Sequence, residues 1–194
     1  TYDHVLELED LGDVGDEYTY SPPENDRLIS NRDGAKALVS VANHGSLRST
    51  LRIDTSIAVP ASATEDRRHR SHDLVMTDVE IELSLSHGSP VVDGVVRINN
   101  RAADHRLRLL FPTGAVEAAD SRADTAFGVL TRPAKKEPSL KPSPEAPVNC
   151  YPMQSFVDEL LKESRSTQAA LIVFKPRLDT VRVAVNRRPP NRIL

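Results

Sequence analysis

Between Leu47 and Phe111, three successive runs place an apolar residue at every second position, the period of a half-buried β-strand. In the first, Leu47, Leu51, Ile53, Ile57 and Val59 share one parity, while Arg48, Thr50, Arg52, Asp54 and Ser56 hold the other. In the second, Val75, Val79, Ile81, Leu83 and Leu85 stand against Asp78, Glu80, Glu82, Ser84 and Ser86. That run is longer than an ordinary strand. His87-Gly88-Ser89-Pro90 turns the chain into Val91 to Asn99, and after residues 100–104 it resumes as His105 to Phe111. Such short connections predict antiparallel neighbours. As helices these segments would expose much of their apolar set, so strands are expected, with Leu51, Ile53, Ile57, Val79, Ile81, Leu83, Leu107 and Leu109 in the core.

The flanking segments extend the same picture. Tyr2 to Glu9 alternates weakly, with Leu6 and Leu8 on one side, and reads as a first strand. Arg27 to Ala42 holds one or two short strands, with Ala37, Val39 and Val41 on one parity, and Asn43-His44-Gly45 turns into the long run. After Pro112-Thr113-Gly114, a mostly Ala and Asp segment leads to a short strand over Thr125 to Arg132. Five prolines between Pro133 and Pro147 predict an extended surface loop. Ser155 to Glu163 carries Phe156, Val157, Leu160 and Leu161 at helical spacing, so the local pattern there is a helix. Leu171 to Phe174, and Val181, Val183 and Val185, give two further strands. All eight glycines lie at or before Gly128, which sets the tail apart.

Composition narrows the function classes. A chain of 194 residues buries one substantial core, so one domain is the default. A formal net charge of −3 gives no electrostatic reason to expect nucleic acid. No apolar run approaches the ~20 residues of a membrane-spanning helix, and the N-terminus has no basic and apolar signal segment. The only cysteine, Cys150, permits no internal disulfide and reads as an inert thiol, so the cytoplasm is the expected compartment. The chain opens at Thr1 within a strand pattern and reads as part of something longer.

Three stretches carry candidate chemistry. Glu9 to Pro23 combines two glycines, five carboxylates, two tyrosines and a Pro-Pro stop. Aromatic faces and carboxylates of this kind suit a carbohydrate-facing loop, although a solvated acidic turn has the same composition. His69 and His72 are spaced like metal ligands, but Arg67, Arg68 and Arg70 beside them would repel a cation, and a solvated or anion-contacting loop is the simpler reading. In Asp104-His105-Arg106-Leu107-Arg108, the arginines are expected to line a wet face or pair with acidic residues of neighbouring strands, such as Asp78, Glu80 and Glu82, with an interdomain contact as second choice and a sugar contact as third.

Four stretches of the chain resemble glycoside hydrolase family 38, the α-mannosidases, and in particular the C-terminal β-domains of bacterial-type members that include mannosylglycerate hydrolases. They are residues 12–23 (Gly-Asp-Val-Gly-Asp-Glu-Tyr-Thr-Tyr-Ser-Pro-Pro), similar to the family's Gly-Asp-x-Tyr-x-(aromatic)-Ser-Pro loop, and residues 99–114 with their Asp-His-Arg-Leu-Arg and Phe-Pro. The other two are 127–133 (Phe-Gly-Val-Leu-Thr-Arg-Pro) and 151–157 (Tyr-Pro-Met-Gln-Ser-Phe-Val). The resemblance runs in family order from Asp3 to Asp158. It implies a large antiparallel all-β sandwich of the galactose-mutarotase-like type, incomplete at both ends, with 1–158 as the family β-domain and 159–194 as a divergent or truncated tail that could complete it. It also turns the expectation at Phe156 and Val157 from helix to strand. No catalytic residue and no metal ligand is implied here. The nucleophile, the acid/base and a divalent metal, commonly zinc, belong to an N-terminal α/β catalytic domain, which becomes the expected partner together with an α-mannoside or mannosylglycerate-type sugar. The family's substrate-contacting tyrosine falls at Tyr18, as a positioning group. A free-standing carbohydrate-binding β-sandwich is the alternative.

Overall fold

The computed structural model describes residues 6–15, 20–89, 91–111, 118–133, 154, 156–161, 168–177 and 180–186, with backbone alone at 118, 119 and from 156 onward. All regular structure among them is strand. The order is β1 (Glu7–Gly12), β2 (Ile29–Ser30), β3 (Ala37–His44), β4 (Arg48–Pro60), β5 (Leu74–Ser86), β6 (Val91–Asn99), β7 (His105–Leu110), β8 (Ala118–Thr125), β9 (Gly128–Pro133), β10 (Phe156–Leu161), β11 (Gln168–Arg177) and β12 (Thr180–Asn186). A three-stranded sheet runs β2-β1-β7, and a nine-stranded sheet runs β3-β4-β5-β6-β12-β11-β10-β8-β9. Every pairing with a described register is antiparallel. This is the expected all-β, antiparallel sandwich class.

The chain divides into two compact units. One comprises Thr1–Val39, Ile53–Glu80 and Arg97–Pro112, the other Ser40–Arg52, Ile81–Val96 and Thr113–Leu194. In the first, Leu6, Leu8, Ile57, Val59 and Val79 are buried, and full burial of a side chain such as Leu8 contributes about 1.5 to 3 kcal/mol. In the second, Ile81, Val96 and Ala123 are buried.

The alternation sets the burial for part of the long strands only. Ile57, Val59, Val79 and Ile81 are inside as expected, whereas Ile53, Leu83, Leu107 and Leu109 are half-buried and Leu51 is exposed. Along β5 the buried parity changes from odd to even, from Thr77, Val79 and Ile81 to Ser84, and Leu85 faces out. The Ser84 hydroxyl meets the Thr50 hydroxyl of β4 at 2.9 Å. A twisting strand of 13 residues does not keep one face towards one layer along its whole length, so the end of an alternating run loses its cover.

One further expectation is corrected. β7 does not lie beside β6. It pairs with β1 in the smaller sheet, from Glu7↔Leu110 to Gly12↔His105, because residues 100–104 redirect the chain. There the Asn100 side chain caps the Ala102 amide at 3.0 Å, and Asp104 takes a left-handed φ of 50°. The Ala-Asp segment before Thr125, to which the alternation assigns no element, is regular. It is β8, paired with β9 on one side and β10 on the other. At Phe156–Leu161 the strand reading holds over the local helical pattern.

Candidate functional site

β1 alternates so that Leu8, Asp10 and Gly12 point inward. Asp10 therefore continues the line of Leu6 and Leu8, and a carboxylate there must be compensated. One of its oxygens accepts from Arg70 Nη2, and the other meets His105 Nδ1 at 2.5 Å, while Asp10, Arg70 and His105 all have buried side chains. The second ring nitrogen of His105 faces Asn100 Oδ1 at 3.0 Å, the oxygen that also accepts the Ala102 N–H. Each ring nitrogen of His105 thus faces a side-chain oxygen. Arg70 Nη1 lies 3.8 Å from Asp26, whose other oxygen accepts the Gly12 N–H at 2.8 Å. Ion pairing and hydrogen bonding thus tie β1, the start of β7, the loop before β5 and the segment after Pro23 into one cluster.

Immediately beyond Gly12 the chain forms a loop closed at its neck. Asp13 Oδ1 accepts the N–H groups of both Gly15 and Ser21 at 3.1 Å, and Val14 N–H donates to the Ser21 carbonyl at 2.8 Å. Asp13 N–H donates to the Asp104 carbonyl at 2.9 Å. Gly12 is required by close approach, since a Cβ there would stand 2.8 Å from Pro23 Cδ and Cγ and 3.0 Å from Arg70 Cδ. Tyr20 follows the loop under the Arg106 guanidinium, 4.7 Å from its ring centre. Burial, then the nearby Asp26 carboxylate, raises the Tyr20 phenol above its ordinary value of 10.0. Tyr18, the sequence candidate for sugar contact, lies outside the described residues, as do Asp16 and Glu17.

The basic loop that follows β4 is a clasp on this segment. Arg67 donates to the Val14 carbonyl at 2.9 Å, and Arg68 forks onto Glu24 Oε2 at 2.9 and 2.7 Å. The Asn25 amide faces His69 Nε2 at 3.1 Å, and Arg70 reaches Asp10. Four consecutive residues thus grip the stretch from Asp10 to Asn25. The tip of the clasp is ordered by Thr64, whose hydroxyl donates to Asp66 at 2.6 Å, and this bond, with the Arg68 N–H, lowers the Asp66 carboxyl below 3.8.

Among the described residues, neither His69 with His72 nor Asp10 with Asp13 is placed as a metal centre. His69 turns to Asn25 and His72 is exposed, and both Asp10 oxygens are occupied beside a buried guanidinium. Among the described residues no group of three His, Cys, Asp or Glu side chains is placed to hold a metal ion, and the residues present do not fit zinc. For Arg108 the expected acidic partner on a neighbouring strand is present, on β1. Arg108 pairs with Glu9 of β1 at 2.5 Å, and Arg106 covers Tyr20, while Glu80 pairs with Arg97 of β6.

Sequence reading missed the buried Asp10–Arg70–His105 group and the clasp. The parity of Leu6 and Leu8 extended by two positions marks Asp10 as inward, and three arginines within four residues are the corresponding signal for its cation.

No family model matches the chain. The chain is 31% identical over 153 residues to a protein of Halalkalibacterium halodurans named "Putative mannosylglycerate hydrolase", a match covering 71% of this chain and 17% of that protein. Two solved structures share the fold. An α-mannosidase from Enterococcus faecalis superposes with a TM-score of 0.75 at 23% identity, over 96% of this chain and 22% of that one. A glycosyl hydrolase family 38 protein from the same organism gives 0.73 at 22% identity, over 95% and 22%. The chain thus spans about a fifth of the length of these proteins. The sequence relationship, the shared fold and the loop and strand motifs in family order lead to one conclusion: the chain resembles a β-sandwich portion of glycoside hydrolase family 38 proteins.

Proposed function

We propose that this chain is the non-catalytic β-domain of an α-mannosidase-like glycoside hydrolase, in which the Asp13–Ser21 loop forms one wall of the mannose pocket and Tyr18 contacts the sugar. The observation that carries the reading is the closed neck of that loop, with Asp13 holding Gly15 and Ser21 together. A loop fixed at its base has less freedom to lose when it serves as a positioning wall. The phenol of Tyr18 would hydrogen-bond a ring hydroxyl while its ring limits where the sugar sits. An N-terminal catalytic domain would supply the nucleophile, the acid/base and the divalent metal, and reaction with retention follows from that family mechanism. The natural sugar would be an α-mannoside or a mannosylglycerate-type glycoside. Residues 1–158 would form the β-domain proper, with 159–194 as its divergent tail. The lone cysteine favours the cytoplasm, and no helix among the described residues is long and apolar enough to cross a membrane.

The chain's own carboxylates support the assignment of chemistry elsewhere. Retaining hydrolysis needs two carboxyl groups roughly 5 to 5.5 Å apart with one free to attack. Asp10 is locked between Arg70 and His105, and Asp13 is engaged by two backbone amides. The purified chain is therefore expected to leave an activated aryl α-mannoside intact, with and without added zinc. Turnover that follows the protein through purification and survives a metal-free control would overturn the reading.

A further inference from the structure

We infer that Arg67 and Asp104 are positioning residues for the Asp13–Ser21 loop. These two non-glycine residues both hold a left-handed backbone, with φ of 56° and 50°. That conformation is unfavourable for residues with a Cβ, and it persists where surrounding contacts impose it. Both residues touch the same short stretch of chain. Arg67 Nη2 donates to the Val14 carbonyl at 2.9 Å, the Asp104 carbonyl accepts the Asp13 N–H at 2.9 Å, and the two side chains face each other with Nη2 3.9 Å from Oδ1. Each is anchored from behind. Arg67 N–H closes a turn onto the Thr64 carbonyl at 2.8 Å, and Asp104 Oδ2 accepts the Ala63 N–H at 3.2 Å.

The arrangement does not serve the core. The Arg67 side chain is 56% exposed and that of Asp104 is 36% exposed, and neither pairs a strand. What the two strained residues hold is the first step of the loop beyond Gly12. Asp104 fixes Asp13, whose carboxylate gathers Gly15 and Ser21, and Arg67 fixes Val14, whose N–H binds Ser21. Together they set the direction in which the loop leaves β1.

The importance of this position rests on the proposed sugar-facing role of the loop, whereas the positioning itself is tested without any sugar. Amide hydrogen exchange is followed by NMR on the 194-residue chain and on Arg67→Gly, Arg67→Met and Arg67→Lys. Glycine accepts the positive φ, so the turn persists while the donor is lost, and methionine keeps the stem without the donor. In both, the Val14, Gly15 and Ser21 amides are expected to exchange roughly fivefold faster, as for loss of one hydrogen bond, with the amides paired between β1 and β7 unchanged. Lysine, which can donate to the Val14 carbonyl, restores most of the protection. Unchanged exchange at the three amides in both donor-less variants would overturn the inference, as would an equal increase throughout β1 and β7. If these variants respond as expected but mannoside leaves the loop unperturbed, the sugar reading fails and the positioning pair stands.

Discussion

Asp10 is the residue on which the site is built, since its carboxylate balances two buried cationic or donor groups at once. Replacing it by alanine leaves Arg70 and His105 buried without their acceptor. Asp10→Ala is expected to lower stability by about 3 to 5 kcal/mol, visible as a fall in the urea midpoint. Against a total stability of about 5 to 15 kcal/mol for a native domain, that is a large share of the whole. Gly12→Ala acts by a different route. With Pro23 already at 2.8 Å from the new methyl, the variant is expected to lose about 1 to 3 kcal/mol and to loosen the neck of the loop. Tyr20 gives a signature in pH. Its phenol is raised above 10.0, so the folded chain keeps the proton at pH values where the unfolded chain releases it, and the stability it contributes is lost as pH rises from 10.0 through the folded value. Phenolate absorbance of the native chain, compared with Tyr20→Phe, is expected to show one tyrosine titrating late.

At the scale of elements, the strands with clean alternation were legible from sequence and those held by partners were not. β4, β5 and β6 follow from parity alone. β8, with the sequence Ala-Ala-Asp-Ser-Arg-Ala-Asp-Thr, has no apolar period, and becomes a strand because β9 and β10 complete its ladder on both sides. β10 reads locally as a helix and is a strand for the same reason, between β8 and β11. The position of β7 was not legible either, since the left-handed Asp104 that sends it to β1 leaves no periodic trace. The clasp depends on contacts between residues about 44 to 60 positions apart, which no local pattern records. β3 carries a further consequence. It is at the edge of the nine-stranded sheet and exposed along its whole length, with Leu38, Val39 and Val41 all more than half exposed. An uncharged apolar edge of this kind templates association. The isolated chain is expected to self-associate with rising concentration, and Val39→Lys with Val41→Lys to suppress it in light scattering. Equal scattering from both proteins would show that β3 is not the sticky edge.

For the whole molecule, the resemblance to family 38 proteins and a loop closed by its own carboxylate support the proposed account, in which the chain shapes a sugar site whose chemistry lies on another domain. A single open wall leaves most sugar hydroxyls in water, so binding by the chain alone is expected only at about millimolar strength. The most direct measurement is an NMR titration of the chain with methyl α-mannoside, following backbone amides from Asp13 to Ser21. The account predicts shifts confined to this loop and its clasp, a millimolar midpoint, roughly fivefold weaker binding in Tyr18→Phe, and an intact glycoside at the end. Shifts centred on another surface, or a loop that does not respond at all up to saturating sugar, would contradict it.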